Sequence, residues 1–136
     1  RLRLQTLTEE QLQLLVSEPS ESRIPLSLLA VFKRYEFIRQ FSEQVLLPKI
    51  TIFDDELRPS DYSSFVEELE DAHPELLELS DSSAKKIRQV TLRILTEGEI
   101  LTNSSPSRIS PAILSENVKR VISRDDPALL RPFLQP

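Results

Sequence analysis

The 136-residue chain has no cysteine, no methionine and no tryptophan, a single glycine (Gly98) and a single histidine (His73). Without cysteine there can be no disulfide, thiolate metal site or cysteine nucleophile, and nothing calls for an oxidising compartment, so a cytoplasmic location is expected. Phosphate-cradling loops need several glycines to let backbone N–H groups approach the ligand, which excludes Walker-type and dinucleotide-binding sites. No apolar run approaches the roughly 20 residues needed to cross a bilayer, and Arg1 opens the chain without a signal-peptide pattern; neither a membrane span nor a membrane partner is expected. The lack of methionine leads us to expect native residues before Arg1. A lone histidine cannot build a multi-histidine metal site or a histidine-paired nucleophile, and His73, followed by Pro74, reads as a helix break.

What is present describes one globular domain over residues 1–136, with 39% apolar and 29% charged residues. The net charge of −5 is unevenly divided. Residues 54–81 hold one basic and eleven acidic side chains, whereas residues 82–136 hold nine basic and five acidic ones. An acidic total argues mildly against strong nucleic-acid affinity, but binding answers to local potential, and the basic surplus is C-terminal.

Periodicity reads as helix almost throughout. Thr8 and Gln11 form a capping-box pattern, with Leu7 and Leu12 placed as a hydrophobic staple and Leu12, Leu15 and Val16 as an apolar stripe. Residues 18–22 read as a loop, and Pro25 as the first position of a helix ending near Lys33 and Arg34. Phe37, Ile38, Phe41 and Val45 mark another helix, stopped by Pro48, and residues 49–58 stay undecided between strand, helix and loop. Tyr62, Phe65, Val66 and Leu69 follow helical spacing up to His73, with an acidic outer face. One of Ser80 to Ser83 caps the longest helix, which Gly98 should end in the left-handed conformation. Residues 99–111 read as a loop or small hairpin. Ser110, with Pro111 at the first position and Ile109 stapled to Leu114, opens a helix burying Leu114, Val118, Val121 and Ile122, and Asp126-Pro127 starts a last short helical segment. The expected fold is all-α, a compact multi-helix domain with helix-turn-helix-like elements and room for one hairpin.

Helical projection of residues 82–101 separates two faces. Ile87, Val90, Thr91 and Ile94 fall on one side, and Lys85, Lys86, Gln89, Arg93 and Thr96 on the other, with Arg88 on a third flank. A basic helix followed by a turn, a hairpin and a helix bearing Lys119, Arg120 and Arg124 is similar to a helix-turn-helix or winged-helix arrangement, where one helix reaches a groove and its neighbours grip phosphate. Two plainer readings stand beside it. Exposed helix faces are routinely rich in lysine and arginine, and the acidic stretch from Asp54 to Asp81 could pair with these cations. The carboxylates Glu67, Glu68, Glu70 and Asp71 form a solvated helical face, and Asp54, Asp55 and Glu56 lack the spacing and glycine of a calcium loop.

Three segments carry a family resemblance. His73 to Leu95 (HPELLELSDSSAKKIRQVTLRIL), Arg34 to Leu46 (RYEFIRQFSEQVL) and Arg124 to Phe133 (RDDPALLRPF) resemble, in order, motifs of the BrxA family of BREX phage-defence systems. The family's N-terminal helical part is missing, and Ala72 stands where an aromatic residue is expected before His-Pro. The resemblance implies a helical, non-enzymatic protein that binds double-stranded DNA through helix-turn-helix-like elements, with other BREX proteins as partners, no cofactor, no metal and no small-molecule substrate. The residues expected to contact DNA are Lys85, Lys86, Gln89 and Arg93, flanked by Arg88, Arg108, Lys119 and Arg120. The alternative is a protein-protein adaptor docking a basic partner through the acidic helix.

Overall fold

A computed structural model describes residues 5–135. Its elements are α1 (Glu9–Ser17), α2 (Pro19–Arg34), α3 (Glu36–Phe41), a π turn (Ser42–Leu46), α4 (Leu47–Thr51), β1 (Glu56–Leu57), α5 (Pro59–Ala72), a 3-10 turn (Pro74–Glu78), α6 (Asp81–Glu97), β2 (Ser107–Arg108), α7 (Glu116–Asp125) and a closing 3-10 turn (Pro127–Phe133). The expected all-α class is what the chain adopts, with one very small sheet. In it β1 pairs antiparallel with β2, Glu56 opposite Arg108, and Leu101 bridges to Ile109 on the other side.

The core is built from α2, whose Leu26, Leu29, Ala30 and Phe32 are wholly buried, together with Phe41, Leu46, Leu95, Ile100, Val118, Ile122 and Phe133. Phe133 meets Phe32 edge to face at 5.1 Å, fastening the closing turn onto α2. A second aromatic group joins α3 to α5: Phe37 and Phe41 each contact both Tyr62 and Phe65, at centroid distances from 5.4 to 6.3 Å.

Local signals within a turn of their own cap are reproduced. The Thr8 hydroxyl accepts from the Gln11 N–H while the Gln11 side chain accepts from the Thr8 N–H. Ser80 caps α6, accepting from the Ser83 N–H, and Asp126 caps the closing turn, accepting from the Ala128 N–H. Long-range packing changes other expectations. On α1 the buried face holds Gln11 and Leu14, while Leu12 and Val16 are exposed, so the inner face is rotated one position from the expected stripe and the Leu7–Leu12 staple does not close over a buried Leu12. The reason is Gln11 itself: its amide donates to the Val121 carbonyl and the Asp125 carboxylate, both at 3.1 Å, so a polar residue is buried without loss.

Residues 18–22 are not a loop. Pro19 sits at the first position of α2, and the buried Ser22 hydroxyl donates to the carbonyls of Leu14 and Glu18. Pro25 lies inside this helix rather than at its start; the carbonyl it leaves without a donor belongs to exposed Glu21, where water can satisfy it. Pro48 likewise does not stop its helix. The chain widens first into the π turn, with the Leu47 N–H donating to Ser42 O, and Pro48 then occupies the first turn of α4, where its missing N–H costs little.

Gly98 is not left-handed: its φ is −78°. Glu99 takes that conformation, with φ 66°, and completes a Schellman end in which the Glu99 N–H donates to Thr96 O and the Ile100 N–H to Leu95 O. Glycine at 98 serves proximity instead, since a Cβ there would stand 2.7 Å from Cδ2 of Leu28. The last helix begins later than expected. Ser115, not Ser110, caps α7 by accepting from the Val118 N–H, because Ser110 and Ala112 donate their N–H groups to Ile100 O and Phe133 O and hold residues 110–112 extended. Leu114, Val118, Val121 and Ile122 are buried as expected.

Candidate nucleic-acid interface

Helix α6 shows why its sequence can face two ways. Its inward side is Thr91, Ile94 and Leu95, all buried, and from residue 80 to residue 87 every position is exposed. The N-terminal half therefore stands out from the body, carried by the Ser80 cap and the 3-10 turn before it. Lys85, Lys86, Gln89 and Arg93 all lie on the exposed surface, and among the described residues none of these three cations is within ion-pair distance of a carboxylate.

The flanking residues have different surroundings. Arg88 is half-buried, its guanidinium 5.2 Å from the centre of the Tyr62 ring on α5. Burial pushes the Tyr62 phenol above its usual range, and the Arg88 charge works against that shift. Arg108, on β2, is held by Asp55 at 3.1 Å and Glu56 at 3.7 Å. Lys119 lies 3.7 Å from Glu116 of its own helix, and Arg120 is exposed. Arg124 is bound by Glu10 of α1. Helix α7 packs on α1, α2 and the closing turn, so its cations belong to that body, whereas the α6 cations form a surface of their own.

The acidic stretch splits into two parts. Asp54, Asp55, Glu56 and Asp61 are consumed locally: Lys49 bridges Asp54 at 2.9 Å and Asp61 at 3.2 Å, Arg58 meets Asp54 and Glu56, and Arg108 meets Asp55 and Glu56. Hydrogen bonds from the Lys49 ammonium and then the Glu56 N–H hold the Asp54 carboxyl down at about 2. In contrast, Glu67, Glu68, Glu70 and Asp71 of α5 have no basic partner within ion-pair distance among the described residues. The acidic helix therefore does not neutralise the basic one. Among the described residues no cluster of three His, Cys, Asp or Glu side chains is placed to hold a metal ion.

Sequence reasoning missed one feature. Ile87, assigned to the core side of α6, instead looks into an open groove between α3, α5 and α6 and is 38% exposed, while Val90 packs partly buried against the core and lines the same groove. The groove has a volume of about 480 Å³ and a lining that is largely hydrocarbon, with Tyr35, Phe37, Val66, Leu76 and Leu79 among its walls. The run of leucines in HPELLEL was its only trace in the sequence.

No helix among the described residues is long and apolar enough to cross a membrane. No curated protein matches the chain. Among solved structures, an uncharacterized protein from Magnetospirillum magneticum superposes with a TM-score of 0.82 over 98% of this chain and 70% of its own length, at 21% identity. At that identity the likeness concerns the fold. The BrxA family model matches residues 1–126. The chain therefore belongs to the BrxA family, whose members are proteins of BREX phage-defence systems.

Proposed function

We propose that this chain is a non-catalytic, cytoplasmic accessory protein of its BREX system that binds double-stranded DNA through α6, mainly at phosphates and with little sequence preference. The observation carrying this reading is the exposure of Lys85, Lys86 and Arg93 along one side of a protruding helix, with no carboxylate of the described chain to neutralise them. The order of elements supports it: β1, α5, a turn, α6, then a hairpin whose return strand pairs with β1 and with Leu101 resembles a winged-helix order, in which the recognition helix, here α6, would enter the major groove. Gln89, exposed on the same side of α6, would add a polar contact to the nucleic acid.

Fluorescence anisotropy of labelled duplexes at several salt concentrations tests the proposal. Neutralising four phosphates should make log K fall against log salt with a slope of about −3.6, and Lys85→Glu with Lys86→Glu should halve that to about −1.8 while weakening all sequences alike. Unchanged affinity in the double variant would remove α6 from the interface.

A second reading has its own observation. The α5 carboxylates, which have no basic partner within ion-pair distance among the described residues, would offer a surface to a basic partner, so the chain would also serve as an adaptor to other BREX proteins. Co-purification with those components should be lost when Glu67, Glu68, Glu70 and Asp71 are neutralised together; retained assembly would count against it.

A further inference from the structure

We propose that the groove between α5 and α6 seats an amphipathic, lysine- or arginine-rich helix of a protein partner. This rests on the adaptor reading and gives it a place and a chemistry. The groove leaves large apolar side chains partly open to water: Tyr35 and Leu79 are each 42% exposed and Ile87 38%. Leu76, Leu79, Ile87 and Val90 line it together with Phe37, Ile38 and Thr91, an apolar surface suited to the stripe of a helix reading i, i+3, i+4 and i+7.

Charge selects the occupant. From Pro59 to Asp81 the chain has no lysine or arginine. Glu70 lines the groove, Glu67 lies on the adjoining strip of α5, and Glu75 and Glu78 directly precede the lining residues Leu76 and Leu79 on the 3-10 turn. Of these four, Glu75 alone has a basic partner within ion-pair distance among the described residues, the His73 ring at 3.5 Å. Lys86 is the one cation in the opposite wall. An acidic helix, or a second copy of this acidic edge, would meet like charge from α5 and from the 3-10 turn, whereas a basic helix would place hydrocarbon inward and cations against Glu67, Glu70, Glu75 and Glu78. Its remaining cations would lie beside Lys85 and Lys86 and extend the surface offered to DNA.

The chain supplies its own probe. Tyr35 and Tyr62 are its only tyrosines, tryptophan is absent, and both tyrosines line this groove. We would titrate the full chain with a designed helix about five turns long, free of tyrosine and tryptophan, bearing a leucine stripe and lysines elsewhere, and with its lysine-to-glutamate counterpart. The lysine peptide should change tyrosine emission saturably, and the glutamate peptide should bind at least about tenfold more weakly. Leu79→Asp, at a partly exposed position, should weaken the lysine peptide by a similar factor and leave DNA affinity intact, and Lys85→Glu with Arg93→Glu should weaken DNA binding and lower its salt slope while preserving the peptide. Equal binding of both peptides, or an unaffected Leu79→Asp variant, overturns the groove. So does concentration-dependent self-association in sedimentation that Leu79→Asp abolishes, since the occupant would then be a second copy. If co-purification with BREX components depends on the α5 carboxylates but not on Leu79, the adaptor reading stands and the groove does not.

Discussion

The Arg88 guanidinium stands 5.2 Å over the Tyr62 ring and couples the exposed helix α6 to α5, whose own ring contacts run into Phe37 and Phe41. A cation over an aromatic face at a half-buried site contributes about 0.5–1 kcal/mol. Arg88→Ala should cost that much in urea denaturation, and Tyr62→Phe, which keeps the ring, should cost less. The phenol adds a pH signature. Its folded pKa lies above the ordinary value of 10, chiefly through burial, so the neutral form is favoured by folding; its contribution should be constant below pH 10 and diminish as the pH rises beyond it, and Tyr62→Phe should make the alkaline fall in stability shallower.

Arg108 is the flanking cation already engaged. Because Asp55 and Glu56 hold it, Arg108→Ala by itself should change DNA affinity by less than about twofold, whereas Asp55→Asn should raise affinity several-fold by releasing a cation and removing a like-charge neighbour of the phosphates. Anisotropy titrations of the two variants at one salt concentration separate these outcomes.

The end of α6 offers a paired stability test. Glu99 occupies a left-handed backbone position at φ 66°, so Glu99→Gly should stabilise the chain by up to about 1 kcal/mol. Gly98→Ala should destabilise it by up to about 1 kcal/mol, because the new methyl would stand 2.7 Å from Cδ2 of the buried Leu28 and push that side chain aside. Thermal denaturation of both variants checks the opposite signs.

Asp54 predicts the acid limb. Its pKa falls from 3.8 to about 2 in the folded chain, so its ionised form is favoured by folding; the contribution is complete above pH 3.8 and is lost as the pH drops toward 2. Asp54→Asn should flatten stability between these pH values in a circular-dichroism titration, and Lys49→Met should do the same.

These predictions divide by how far their causes lie along the chain. Thr8 with Gln11 was readable because a cap and its partner are three residues apart, and the start of α6 was readable to within the Ser80–Ser83 cluster, of which the structure selects Ser80. The buried stripe of α7 was readable because hydrophobic spacing alone selects it. Gly98 misled for a specific reason: glycine after a helix ordinarily marks the left-handed position, but here a distant leucine required the missing Cβ and Glu99 took the turn. Ile87 misled because a residue on the apolar side of a helix is buried only if something covers it, and periodicity cannot report the covering element.

By itself the amino-acid sequence determined the helical class, the exclusion of cysteine and glycine-loop chemistry, most helix ends and the basic strip from Lys85 to Arg93, since all of these follow from residue type and spacing within a few turns. Tertiary structure alone decided that Gln11 is buried against Val121 and Asp125, that Arg108 is claimed by carboxylates more than fifty residues away while Lys85 and Arg93 have none within ion-pair distance among the described residues, and that α5 and α6 part to leave a groove. Charge balance and burial depend on which distant surfaces meet, and that is a property of the packed chain.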